Sequence, residues 1–120
     1  MNTSETVAEL SKALIAAQAE FPEIQRTKTV NQGKFQYKYA PLDGVMAQVR
    51  PILKAHGLGL IQGVTGDFLH TRLLHTSGEW IECAMPVHKD QPNNQAYGSE
   101  LQYKKRYSVA AVLNLVMDED

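Results

Sequence analysis

The sequence lacks most of the features that mark secreted, membrane-spanning or disulfide-linked proteins. Cys83 is the only cysteine among 120 residues, so no disulfide can form within the chain, which fits a reducing cytoplasm. No apolar run approaches the roughly 18 residues that a membrane span requires, and the N-terminus has no Lys/Arg-led apolar segment of a secretory signal. We therefore expect a cytoplasmic protein that does not enter membranes and forms a single domain over residues 1–120.

Patterns typical of catalysis or cofactor binding are also scarce. The glycines of Gly57-Leu58-Gly59 are not followed by the rest of a nucleotide-binding fingerprint. His70 and His75 are five residues apart in one predicted strand, so they point to opposite faces and cannot share a metal. The cluster Asp118-Glu119-Asp120 could hold Mg²⁺, although such clusters are more often solvated. We predict a protein that is not an enzyme and needs no cofactor or metal.

Charge, by contrast, is present in blocks. The net charge is only -1, yet residues 26–54 carry six cations against one acid, and residues 101–117 carry three cations and no acid. Two basic blocks in a nearly neutral chain indicate a local anionic partner such as nucleic acid. Chance clustering of solvated cations remains the alternative, because the composition as a whole is not basic.

Hydrophobic periodicity and turn residues predict an α+β fold. Its antiparallel β-β-β-α core is preceded by an N-terminal helix, a β-hairpin and a second helix. The predicted elements are a helix at 5–20, a hairpin at 27–40, a helix between Pro41 and Gly57, strands near 58–65, 68–75 and 79–86, and a final helix from about Gly98.

The first helix has Ser4 as a plausible N-cap and a narrow apolar seam. The seam consists of Val7, Leu10, Leu14, Ala17 and Phe21. Such a seam docks on the protein's own sheet or packs against a neighbouring subunit, and the sequence does not separate these two arrangements.

Two further segments combine cations with a regular spacing. In the second hairpin strand, Phe35, Tyr37 and Tyr39 alternate with Lys34, Gln36 and Lys38, so aromatics and cations occupy opposite faces. We interpret these aromatics mainly as core and these lysines as partly functional. In the second helix, Arg50 and Lys54 are four residues apart and share one surface.

The stretch from Gly98 to Asp120 predicts a helix with a cationic first half and an apolar second half. Asn114 suits a left-handed helix cap. Lys105 lies inside the apolar arc and Arg106 flanks it, with no acid within one turn on the C-terminal side. Tyr103 and Tyr107 pair at i,i+4 and are expected to pack. The apolar arc comprises Leu101, Val109, Val112, Leu113 and Val116.

An ordered set of segments carries a resemblance to a known family. The stretch Gly98-Ser99, Tyr103, Lys105-Arg106, Tyr107, an aliphatic run and an acidic cluster resembles the end of the core domain of the ERF (essential recombination function) family of phage single-strand annealing proteins. The earlier segments that match are Tyr37-Lys38-Tyr39-Ala40-Pro41-Leu42-Asp43, Val49-Arg50-Pro51, His56-Gly57-Leu58 and His75-Thr76-Ser77-Gly78-Glu79-Trp80. The resemblance spans roughly residues 35 to 120.

The resemblance implies a function, an assembly and a site. The fold would be like that of the ring-forming eukaryotic annealing protein, and the chain would form a homo-oligomeric ring. It would bind single-stranded DNA and anneal complementary strands without ATP in phage homologous recombination, in the host cytoplasm. Lys105 and Arg106 would be the leading phosphate contacts, and Lys104 replaces the family's usual small residue. Weaker expected contacts are Lys38, Arg50, Lys54 and Arg72.

Two other classes of function remain open at this point. One is an interaction module whose basic helix binds an acidic protein partner. The other is a metal-dependent nuclease that uses the acidic cluster.

Overall fold

The computed structural model describes residues 1–88 and 90–117, without the side chains of Gln32, Phe35 and Tyr37. Its elements follow the predicted order, with one short strand added at the N-terminus. They are β1 (Asn2–Thr3), α1 (Ala8–Gln18), β2 (Lys28–Gln32), β3 (Phe35–Tyr39), α2 (Leu42–Ala55), β4 (Leu58–Thr65), β5 (Phe68–His75), β6 (Trp80–Pro86) and α3 (Asn94–Leu113). The α+β fold class is confirmed.

The main sheet is an antiparallel meander, as the short turns predicted. Its strand order is β1-β6-β5-β4, so β4 lies at one edge. Gly66 and Gly78 occupy the two turns with φ of 61° and 93°, a conformation that costs glycine little. The hairpin of β2 and β3 forms a separate two-stranded sheet.

One face of the main sheet is covered by the helices. Leu69, Thr71 and Leu73 of β5 are buried, as their period of two predicted. The helices add the apolar residues of their inner faces to the same core, and α3 crosses β5 and β6. The buried apolar residues from the three helices are Leu10, Ala17, Val45, Val49, Leu53, Val109, Val112 and Leu113.

The N-terminus differs from the prediction, because Ser4 does not cap a helix. Ser4 instead binds the backbone of Trp80, donating from its N–H to the carbonyl oxygen at 2.9 Å and accepting from the Trp80 N–H at 2.8 Å through its hydroxyl. This pairing extends β1 along β6, and α1 begins only at Ala8. The seam of α1 docks on its own core, since Leu10 and Ala17 are 1% and 0% exposed.

The ends of the last two helices are set by local backbone preferences. Pro41 precedes α2 as its N-cap with an extended ψ of 162°, so the first helical residue is Leu42. Asn93 caps α3 by accepting from the Ala96 N–H at 2.8 Å, so α3 begins before Gly98. Asn114 has the predicted left-handed conformation.

The predicted apolar arc of the last helix is correct except at its end. Because α3 ends at Leu113, Val116 leaves the arc and is 65% exposed. The acidic cluster Asp118-Glu119-Asp120 lies outside the described residues. None of the helices in the described part of the chain combines the length and apolar character that a membrane crossing needs.

Candidate nucleic-acid interface

A groove of about 1370 Å³ opens between the hairpin, α2 and α3. The hairpin contributes Lys28, Val30 and Tyr39, and α2 contributes a wall that includes Met46 and Arg50. The wall from α3 consists of Ser99, Gln102, Tyr103, Arg106 and Tyr107. These α3 residues share a wall because spacings of three and four residues return to one helix face.

The groove is basic and carries aromatic side chains. Lys28, Arg50 and Arg106 supply three cations against the single carboxylate of Asp43. Lys28 and Arg50 are exposed. Their side chains therefore remain accessible to an anion, and the groove combines the two properties that single-stranded nucleic acid requires, namely positive charge and aromatic surface.

Arg106 is the most buried residue of the α3 wall and is only 7% exposed. Its Nη1 donates to the carbonyl oxygen of Ala40 at 3.1 Å. Its guanidinium carbon lies 5.2 Å from the ring centre of Tyr39, 5.5 Å from that of Tyr103 and 5.7 Å from that of Tyr107. Contacts of this kind, within about 6 Å of ring centres, attract a cation.

The tyrosine pair, Tyr103 and Tyr107, lies at the surface of α3. The ring centres are 4.6 Å apart with an interplanar angle of 65°, and the Tyr103 hydroxyl donates to the Tyr107 hydroxyl at 3.1 Å. The two residues are 52% and 37% exposed. The predicted pairing at i,i+4 is confirmed. The two rings pack on each other, although both residues remain exposed.

Lys104 and Lys105 lie outside the groove. The Lys104 ammonium binds Glu100 Oε1 at 2.8 Å and donates to the Pro86 carbonyl oxygen at 2.5 Å. This ammonium lowers the pKa of the Glu100 carboxyl. Lys105 is half-buried, and its carbonyl oxygen accepts from Gln62 Nε2 at 3.1 Å, which links α3 to β4.

The remaining predicted cations lie on other surfaces. Lys38 is exposed on β3 and is one residue out of phase with Tyr39, so it points to the opposite hairpin face. Lys54 borders a shallow depression beside the turn at Gly57. Arg72 lies on the open face of the main sheet, 2.9 Å from Glu82 Oε1.

The groove thus joins Arg50 and Arg106 from the predicted set. It adds Lys28 and Tyr39, which the sequence analysis did not assign to the site. The feature that could have identified both residues is the hairpin register, in which Lys28 is paired directly with Tyr39. Residues paired across two strands point to the same side of the sheet, so a correct register would have placed both in one wall.

Outside the groove, Glu79 has two local hydrogen-bond partners. Glu79 is 9% exposed and accepts from the Thr6 hydroxyl at 2.6 Å and from the Leu10 N–H at 2.8 Å. These hydrogen bonds, that of Thr6 first, hold the pKa of Glu79 below its usual value. Within residues 1–88 and 90–117, no group of three or more His, Cys, Asp or Glu side chains could hold a metal ion.

Comparison with known proteins gives one result. A family model described as the ERF superfamily matches residues 10–120, which include most of α1, every later element and all of the groove. No curated protein and no solved structure matches the chain.

Proposed function

Because the chain belongs to the ERF superfamily, we propose that it binds single-stranded DNA and anneals complementary strands without ATP. Membership in this superfamily supports a role in DNA annealing and recombination. The structural observation that carries the finer proposal is the basic groove with three tyrosines. The proposed setting is homologous recombination of a phage in the cytoplasm of its host, with residues 1–120 acting as one annealing domain.

Annealing needs no external energy source once two strands are aligned. Stacking contributes about 1.4 kcal/mol per base-pair step, so pairing proceeds downhill. The protein must therefore hold a strand extended and neutralise the repulsion between phosphates. Phosphate contacts position a strand without reading its sequence, which is what annealing of arbitrary sequences requires.

The proposed phosphate contacts are those whose charge faces the groove. Lys28 and Arg50 are exposed on two of its walls, so they can meet a backbone that runs between the hairpin and α2. Arg106 adds a positive charge in the α3 wall, where its hydrogen bond to the Ala40 carbonyl oxygen orients the guanidinium. Lys105 and the other cations outside the groove contribute through the wider field.

We further propose that the active form is a homo-oligomer, arranged as a ring. The edge strand β4 supports this proposal, because the backbone groups at a sheet edge are ready to pair with another chain. A ring would place copies of the groove side by side along one strand.

The test is a strand-annealing assay with two complementary oligonucleotides, with and without ATP. The expected result is faster duplex formation than in the absence of protein, equal in both conditions, for several unrelated sequences. Acceleration that depends on ATP would overturn the proposal. If the groove instead serves an acidic protein partner, oligonucleotides will still bind weakly and with dependence on salt, but duplex formation will be no faster than in the absence of protein.

A further inference from the structure

The exposure of the tyrosine pair is not explained by phosphate binding alone. Tyr103 exposes 52% of its surface in the wall of a basic groove, although burying an aromatic side chain is favourable. Both rings lie on the α3 wall, across from Arg50 and Lys28. Cations for the backbone and an aromatic surface therefore lie within one groove.

We propose that the tyrosine pair is a stacking platform for an unpaired DNA base, with Tyr103 as the main contact. This inference rests on the proposed function and names how the groove holds its substrate. A strand whose phosphates lie against Lys28 and Arg50 would direct a base toward the α3 wall. Stacking accepts any base, because every base has a π-face, and so it preserves the indifference to sequence that annealing needs.

Two features of the wall favour stacking over a purely ionic role. The hydroxyl–hydroxyl bond at 3.1 Å and the ring contact at 4.6 Å hold the tyrosine pair in a fixed arrangement, so little rotamer freedom remains to be lost on binding. The Arg106 guanidinium carbon lies 5.5 Å from the Tyr103 ring centre and 5.7 Å from the Tyr107 ring centre, so it contacts both rings.

Stacking is also compatible with annealing. A base that lies flat on an aromatic ring uses its face for the contact, and its hydrogen-bonding edge stays available to a second strand. The platform would therefore present the base while Lys28 and Arg50 hold its backbone.

The test compares an oligothymidylate with an abasic strand of the same length and phosphate number, at one salt concentration. The wild-type protein is expected to bind the oligothymidylate more tightly. Tyr103→Leu is expected to weaken binding of the oligothymidylate by roughly 5- to 150-fold and to leave binding of the abasic strand unchanged. Tyr103→Phe keeps the ring and should retain the preference.

Phe68→Leu is the matched control, because Phe68 is an aromatic residue of similar exposure, 45%, that lies outside the groove on β5. It should bind both strands as the wild type does. Thermal melts check that each variant is folded.

The outcomes separate this inference from the proposed function. Equal wild-type affinity for the two strands would overturn the stacking platform and leave electrostatic DNA binding intact. A loss in Tyr103→Phe as large as in Tyr103→Leu would also overturn it, because the aromatic ring alone would then not account for the preference. A wild-type protein that binds neither strand would overturn both proposals.

Discussion

The guanidinium of Arg106 in α3 donates from Nη1 to the carbonyl oxygen of Ala40 at 3.1 Å, joining residues 66 positions apart. Ala40 lies between β3 and α2 and is 1% exposed. This contact therefore links the α3 wall of the groove to the junction between the hairpin and α2. Arg106 therefore has a structural role in addition to the positive charge that the sequence indicates.

Replacing Arg106 should consequently weaken the fold as well as DNA binding. Arg106→Met removes a donor to a buried carbonyl and is expected to lower the free energy of unfolding by about 1–3 kcal/mol. Arg106→Lys keeps the charge but not the planar guanidinium, and should also be destabilised. Urea unfolding at neutral pH measures both. Stability equal to that of the wild type in Arg106→Met would show that the Ala40 contact does not stabilise the fold.

Lys28 and Arg50 are the better pair for isolating the phosphate contacts, because both side chains are exposed. If each neutralises one phosphate of a single strand, Lys28→Ala/Arg50→Ala should flatten the slope of log affinity against log salt by roughly 1.4. Thermal stability should change little. The measurement is a salt titration of oligonucleotide affinity.

Lys54→Ala provides the control for that titration. Lys54 lies on α2 one turn after Arg50 but borders a different depression. Its removal should leave the salt slope nearly unchanged. A slope change in Lys54→Ala equal to that of the double variant would show that binding follows total charge and not the groove.

Glu79 should make the stability of the protein depend on pH. The Thr6 hydroxyl and the Leu10 N–H stabilise its charged form, so its folded-state pKa lies below the usual value of 4.5. A depressed folded-state pKa contributes stability above the unfolded-state pKa, and this contribution disappears as pH falls through the folded-state pKa. Thermal melts between neutral pH and acid should show it.

Glu79→Gln is the comparison for these melts. Glutamine retains the shape but cannot accept from Thr6 through its amide nitrogen. The wild type should exceed the variant in melting temperature at neutral pH, and the difference should shrink below pH 4.5, the usual value for the carboxyl. Because Glu100 is present in both proteins, its own titration cancels. A difference that does not vary with pH would contradict this prediction.

Assembly should depend on the sheet edge and not on α1. Ile61→Lys places a charge on the edge strand β4, where Ile61 is 58% exposed, and should lower the assembly mass in light scattering. Ile15→Glu alters the exposed side of α1, where Ile15 is 68% exposed, and should leave the mass unchanged. Deleting α1 is a poor test, because Leu10 and Ala17 belong to the core.

The opposite result would assign the interface between subunits to α1. A mass reduced by Ile15→Glu but not by Ile61→Lys would show that α1 both docks on its own sheet and contacts a neighbour. Thermal melts of both variants establish that any change in mass does not come from unfolding.

Features that depend on residues close together in the chain could be predicted from the sequence. The meander was predictable because strand periodicity, Gly66 and Gly78 all act over a few residues. Asn114 was recognised as a helix cap for the same reason, since a left-handed cap depends on the residue itself. Ser4 was misassigned because its actual partner, Trp80, lies 76 positions away.

The same distinction between short-range patterns and long-range contacts applies to the groove. The sequence determined which residue types are available, because the basic run of α3 and the spacing of Tyr103 and Tyr107 can be read directly from the chain. Spacing also established that the two rings meet, since residues four apart on a helix are neighbours.

Only the tertiary structure decided which of those residues face a common groove. A helical wheel shows the angle of each side chain, but not which neighbouring element covers it. Arg106 is buried against Tyr39 and Ala40, whereas Tyr103 stays exposed. The Lys104 ammonium binds Glu100 and the Pro86 carbonyl oxygen. Burial and pairing of a charge depend on contacts between distant segments, and these arise only when the elements pack.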